Sequence, residues 1–400
     1  MHLFRHLSLV ALLIAGTVCI FPLSPMAQAQ SAPLAVTPPM GWSTWNHFQH
    51  DISDGLVRAQ ADALVSSGMR DAGYVYVNID GGWEGYRDAA GVLHPNPNFP
   101  DMKALGDYIH SKGLKFGLYT GPGPTTCGGA PASYGHEAQD AKMFASWGVD
   151  YLKYDLCSYG DIMKKEAPGD QQKQWGMMRQ AYEKMHQDLL DTGRPIVFGI
   201  CEYGFDAVWN WGPKVGGNLW RTAGDISDNY AHMSLIGFSQ AGLAKYAAPG
   251  HWNDPDILEV GNGGMTPDEE RTHFSLWAIL AAPLVAGNDL SKMDDTTKSI
   301  LMNKEVIAVD QDRLGIQGDR VSETGPFEIW MKTLEGGAKA VALFNRSEAA
   351  YPITVYFKDV GFDGAVHARD LWAHKDLSTL QGSYTAVVPR HGVVMLRLSK

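Results

Sequence analysis

Several things are scarce in this chain, and each scarcity narrows the field. Four cysteines in 400 residues are too few for a disulfide-built fold. No Cys-x-x-Cys and no close His/Cys group offers the spacing of zinc ligands. Charged residues make up 19%, below the ~25% usual for soluble domains, and no block of Lys and Arg occurs. With 33 basic against 44 acidic residues and a net charge of −11, nucleic acid is not an expected partner, because phosphate binding needs clustered cations. Beyond the N-terminus no run is long and apolar enough to span a bilayer, so no membrane partner is expected of the mature chain. What is abundant is 12 Trp, 44 Gly and a 45% hydrophobic content. That content excludes a disordered chain or a coiled coil and suits one large domain or two ordinary ones. Trp and Tyr beside many carboxylates fit a neutral polar ligand such as a sugar.

Arg5 and His6 precede an apolar run from Leu7 to Phe21, and Ala27-Gln28-Ala29 is a small-x-small cleavage site. This order marks residues 1–29 as a secretory signal peptide, with the mature chain exported to the periplasm or the outside. Cleavage removes Cys19 and leaves Cys127, Cys157 and Cys201. Three cysteines allow one bridge and one spare thiol, and their spacing does not say which pair forms.

Strand and helix patterns alternate from Met40 onward. The strand candidates are Met40 to Trp45, Tyr74 to Asp80, Lys115 to Thr120, Tyr151 to Asp155, Ile196 to Glu202, Leu219 to Asp225, His251 to Leu258 and Pro283 to Asp289. Helical spacing fills most gaps, as in His136 to Trp147, Gln171 to Leu190 and Pro267 to Leu280. Eight such units read as an α/β fold, a (β/α)8 TIM barrel over residues 30–316. The rival open sheet lacks a Gly-x-Gly-x-x-Gly after its first strand. From Phe327 the pattern becomes short alternating runs (FEIWMKTL, KAVALFN, YPITVYF, GVVMLRL) without helices between them. Residues 317–400 are therefore expected to form a C-terminal antiparallel β-sandwich domain packed directly on the barrel.

Barrel enzymes place their chemistry at the C-terminal ends of the strands. Asp80, Asp155, Glu202 and Asp225 end strand candidates here, and Asp254 and Asp256 lie in the seventh. Acids disfavour strands and are costly to bury unpaired, so their recurrence at this position points to one acidic mouth rather than to separate helix caps. Lys153 lies two residues before Asp155, on the same strand face, and Arg221 lies four before Asp225. A nearby ammonium would keep Asp155 ionised, as a nucleophile needs, while a second carboxyl in a drier setting could keep its proton. Two carboxyls in unlike surroundings are what glycoside hydrolysis requires. No metal or organic cofactor is called for, since two carboxyls carry all the proton traffic.

At these residues a family becomes recognisable. PPMGWSTWN (38–46), DAGYVYVNID (71–80), HSKGLKFGLY (110–119), WGVDYLKYDLC (147–157), CEYG (201–204), WRTAGDI (220–226), WNDPDIL (252–258) and AVDQDRLGIQG (308–318) together resemble the α-galactosidases (melibiases) of glycoside hydrolase family 27. The resemblance implies that Asp155 is the nucleophile and Asp225 the acid and then the base of a double displacement with retention. It places Trp45, Asp80, Tyr119, Lys153, Glu202, Arg221 and Asp256 around the galactose. It also pairs Cys127 with Cys157 and leaves Cys201 free. Tyr203 is either a ring stacked on the sugar or a core aromatic. The substrate class implied is a galactoside or a galactose-containing oligosaccharide.

Departures from the family pattern bear on the sugar. Two adjacent aspartates are usual after the second strand, whereas this chain has Asp80-Gly81-Gly82-Trp83. The missing carboxylate removes one charge-assisted hydrogen bond, worth ~1.5–3 kcal/mol, or reflects a different sugar. The Gly121-Pro122-Gly123-Pro124 loop differs too. Glu202 argues against an N-acetylgalactosamine substrate. The nearest rival activity is a β-L-arabinopyranosidase, because arabinopyranose is galactose without its hydroxymethyl arm. A non-catalytic sugar-binding barrel and a metal-dependent hydrolase are alternatives from other classes, although the 14 histidines are scattered. Asn345-Arg346-Ser347 fits a glycosylation sequon, with no expectation that it is used.

Overall fold

The computed structural model describes residues 33–400; the expected signal peptide, 1–29, lies outside them. Eight strands pair in parallel: β1 (Met40–Ser43), β2 (Tyr76–Asn78), β3 (Lys115–Thr120), β4 (Tyr151–Asp155), β5 (Val197–Cys201), β6 (Leu219–Arg221), β7 (Trp252–Asp254) and β8 (Leu284–Ala286). Their order is β8-β1-β2-β3-β4-β5-β6-β7. A parallel bridge between Leu258, just past β7, and Ala286 of β8 joins the two ends of the curled sheet. Strands such as VFGIC of β5 are buried at every position, the pattern of a parallel sheet covered on both faces.

Each of the eight expected strands is present, but of the five whose sequence pattern closed on an acid only β4 reaches that acid. β2 ends at Asn78, two residues before Asp80, and β6 ends at Arg221, four before Asp225. Polar residues at the mouth leave the hydrogen-bonded ladder because their side chains turn toward the cavity and the backbone diverges into loops. Helices on the outer face start where side chains cap them. Ser53 accepts from the Leu56 amide, Asp101 from Ala104 and Asn229 from His232. Thr266 and Glu269 form a capping box ahead of Pro267–Leu280. Between β5 and β6 the chain makes two 3-10 turns instead of an α-helix.

The C-terminal region is antiparallel. Strands Asp319–Thr324, Phe327–Thr333, Lys339–Asn345, Val393–Ser399 and Ala365–Asp370 lie side by side in that order, facing the pair Tyr351–Tyr356 and Ser383–Val388. Period-two alternation divides Lys339–Asn345 between two cores. Val341 and Leu343 pack with Ile353, Val355, Val366 and Val388 between the sheets, whereas Ala340, Ala342 and Phe344 join the barrel core through Phe238 and the helix Pro267–Leu280. Polar ties reinforce this junction: Thr272 donates to the His391 carbonyl at 2.7 Å and Asn303 to the Leu371 carbonyl at 3.0 Å. Asn345 of the sequon is wholly buried and donates to the carbonyls of Ala349, Val388 and Pro389. Its amide has no room for a glycan.

Candidate active site

The C-terminal ends of the strands surround a cavity of about 390 Å³. Asp155, the last residue of β4, and Lys153, two before it, reach the cavity from one strand face. Gly121, at the end of β3, presses its backbone against the Asp155 carbonyl, so a side chain at that position would collide with it. Asp80, Tyr119, Arg221, Asp225 and Asp256 line the same space, together with Trp45 and Tyr203.

Asp155 is 5% exposed. Its Oδ1 accepts a hydrogen bond of 2.6 Å from the Tyr203 phenol, and its Oδ2 lies 3.4 Å from the Tyr119 phenol. Burial raises its proton affinity; Lys153, the Tyr203 bond and Arg221 oppose that rise, and Asp80 adds to it. The Lys153 ammonium bonds Asp80 Oδ2 at 2.8 Å rather than Asp155. The lysine expected to stabilise Asp155 therefore does so through space, as a charge, while its direct partner is Asp80. Burial disfavours the ammonium, but Asp80 and then Asp155 and Asp256 outweigh it and hold its pKa well above the ordinary value.

Arg221 is buried at the end of β6. It pairs with Asp256 at 3.0 Å and with Asp225 at 3.2 Å. Asp256 also accepts from the Ile226 amide at 2.8 Å, which fixes the loop carrying Asp225. The side chain of Asp225 is itself 67% exposed. The expectation that the second carboxyl would sit in the drier setting is thus reversed: Asp155 is the buried member and Asp225 the wet one, because Asp225 stands on a loop four residues beyond its strand.

Cys127 and Cys157 form a disulfide, leaving Cys201 free and buried. The bridge borders the site, with Cys157 Sγ 3.2 Å from the Tyr119 hydroxyl and Cys127 Sγ 3.4 Å from that of Tyr203. Among the described residues, Cys127, Asp155 and Cys157 form a cluster with metal-ligand spacing. Two of its three donors are the bridged sulfurs, so the cluster does not suit an ion.

Glu202 departs from expectation. It is fully buried, does not line the cavity, and its Oε1 accepts from the Gly204 amide of its own loop. Its neighbour Cys201 points inward toward Arg221, and strand alternation turns Glu202 the other way. Burial pushes its carboxyl up to about 9. Sequence reasoning also missed a polar wall opposite Asp155. Glu259 accepts from Asn46 at 2.5 Å and from Asn262 at 2.6 Å, and Asn262 in turn meets His47. Burial pushes Glu259 up to about 7. Its only signal was an acid three residues beyond Asp256, one past the end of the strand candidate His251 to Leu258.

Residues 37–312 match the family model described as Alpha galactosidase A, and residues 324–398 match the Alpha galactosidase C-terminal beta sandwich domain. An "Alpha-galactosidase A" of Cellvibrio japonicus is 46% identical over 96% of this chain and 97% of its own length. The crystal structure of α-galactosidase I from Mortierella vinacea is 36% identical, covers 92% of this chain and 98% of that one, and has a TM-score of 0.85. A solved β-L-arabinopyranosidase from Geobacillus stearothermophilus is more distant, at 25% identity, coverage of 92% and 97% and a TM-score of 0.77. The chain belongs to the α-galactosidase (melibiase) family of glycoside hydrolases, family 27.

Proposed function

We propose that this protein is a retaining α-galactosidase that removes terminal, non-reducing α-D-galactosyl residues from galactosides or oligosaccharides. One observation carries the reading: Asp155 and Asp225 share a cavity but differ in setting, one buried against phenols and the other open beside a buried arginine. Two carboxyls so placed divide into nucleophile and proton carrier. In the first step Asp225 gives its proton to the leaving oxygen as Asp155 attacks the anomeric carbon and the glycosidic bond breaks. In the second, Asp225 takes a proton from water, whose oxygen replaces Asp155 on that carbon. Trp45, Asp80, Tyr119, Lys153, Arg221 and Asp256 are the proposed sugar-binding set. Lys153 and Arg221 each hold an acceptor carboxylate, Asp80 and Asp256, in place for hydroxyls.

Gly81 favours one competing reading, since a sugar lacking the hydroxymethyl arm would not need the missing carboxylate. The test is the ratio of kcat/KM for a nitrophenyl α-galactoside to that for the matching β-L-arabinopyranoside. A ratio well above one is expected. A ratio below one replaces the galactosidase reading with the arabinopyranosidase, and tight binding without turnover replaces both with a binding protein. We also propose that residues 1–29 direct export; appearance of the tagged full chain only in the cytoplasm of a bacterial host would overturn that.

A further inference from the structure

The hydrogen bond from Tyr203 to Asp155, at 2.6 Å, has no part in the mechanism above. The loop that delivers it is unusual. Tyr203, Gly204, Asp206 and Ala207 all have positive φ, at 65°, 86°, 55° and 49°. Three of them are not glycine, and such backbone persists only where its surroundings impose it. Asp206 anchors the loop through an ion pair with Arg179. The Tyr203 ring packs edge-on against Phe205, and its hydroxyl sits between Asp155 and the Cys127–Cys157 bridge. We propose that Tyr203 is a positioning residue for the nucleophile, whose phenol holds Asp155 Oδ1 so that the carboxylate stays ionised and Oδ2 is the oxygen presented to the sugar. The inference rests on the galactosidase reading.

The bond has work to do in both half-reactions. In the free enzyme it offsets the burial of the carboxylate, together with Lys153 on the same strand and Arg221 on β6. Facing Asp155 against that effect is Asp80 beyond β2, with the loop acid Asp225 lining the same cavity, while Tyr119 of β3 and Cys201 of β5 stay neutral because burial pushes both up. When Asp155 Oδ2 bonds the anomeric carbon, its negative charge is consumed and Oδ1 becomes the ester carbonyl, a weaker acceptor. When water displaces the sugar, the electron pair returns to the carboxylate and the phenol bond strengthens again. Tyr203 therefore favours departure of Asp155 in the second step, without itself gaining or losing a proton.

The experiment compares wild type with Tyr203→Phe and Tyr203→Leu across the pH range, using a nitrophenyl α-galactoside. Phe keeps the ring and removes one oxygen; Leu removes the ring and the phenol together. Both variants should lose roughly ten- to a hundredfold in kcat, the size of one hydrogen bond to a charged group. The acid limb of kcat/KM should move up by about one pH unit in both. A burst of nitrophenol should appear as the second step becomes limiting. An unchanged acid limb in a folded Tyr203→Phe, checked by its melting curve, overturns the proposal. So does a loss confined to Tyr203→Leu, with Tyr203→Phe fully active, which would make the residue a stacking platform. Absence of wild-type turnover on any α-galactoside would instead remove the galactosidase reading on which the proposal rests.

Discussion

At the floor of the cavity Asp155 is 5% exposed and in contact with two phenols, whereas at the rim Asp225 has 67% of its side chain in solvent and Arg221 beside it. The two proposed roles ask for this difference. A nucleophile keeps one protonation state until it attacks, so the protein supplies its partners in advance and fixes its direction. A group that gives a proton in one step and takes one in the next must exchange with its surroundings. Leaving Asp225 open lets the arriving sugar, rather than the fold, provide the dry setting.

The largest effect that could break this comparison is at the floor. Asp155→Asn should abolish turnover of every substrate by several orders of magnitude while the fold is kept, since the amide fills the same space and can still accept from Tyr203. Substantial residual activity in a clean preparation would show that the nucleophile is misassigned. At the rim the effect should depend on the leaving group. Asp225→Asn should cost ~10²–10⁴-fold on an oligosaccharide, whose alkoxide needs a proton. It should cost far less in the first step on a nitrophenyl galactoside, whose phenolate leaves unaided. Equal losses on both substrates would remove the distinction between floor and rim.

How much of this was legible in the chain follows the same division. The floor could be read because strand residues obey period two: Lys153 and Asp155 share a face by arithmetic, and the eight barrel strands were visible as short runs alternating with helical segments. The rim could not. Asp225 looked like a strand end but stands on a loop, and its exposure is set by where that loop turns, which the Arg221–Asp256 pair decides across strands. Glu202 failed for the opposite reason. One residue of phase at the end of β5 moved it from the cavity to the wall behind it, and a strand pattern that runs on past the ladder does not reveal that phase. The Glu259 wall depends on Asn46, Asn262 and His47 meeting across more than 200 residues of chain, and local pattern carries no information about such a meeting.

A smaller effect would sharpen the comparison within the sugar-binding set. Gly81 lines the cavity with an ordinary φ, and a Cβ there would lie 3.3 Å from Tyr119 Cε1, so Gly81→Asp can be accommodated with a slight shift of that ring. If galactose is the natural sugar, the new carboxylate should lower KM for an α-galactoside several-fold, within the ~1.5–3 kcal/mol of one charge-assisted hydrogen bond. A rise in KM for the galactoside, with the arabinopyranoside unaffected, would mean that the glycine is the fitted residue and not a loss.

The smallest effect on activity is expected at Glu202, where the contrast is between lining the cavity and standing behind it. Glu202→Gln should leave kcat/KM within about twofold, whereas a sugar-binding carboxylate would cost tenfold or more. Its signature should be in stability. The folded carboxyl titrates at about 9 against 4.5 for an unperturbed one, so the folded state holds its proton more tightly. The stability linked to that proton is fully present below about pH 4.5 and declines until pH passes about 9. The glutamine variant lacks this decline and should gain on wild type as pH rises, by on the order of a few kcal/mol at 1.36 kcal/mol per unit. Melting curves at pH 5 and pH 8.5 measure the gap. Parallel curves combined with a large loss of activity would return Glu202 to the cavity, since only contact with substrate would then explain its importance.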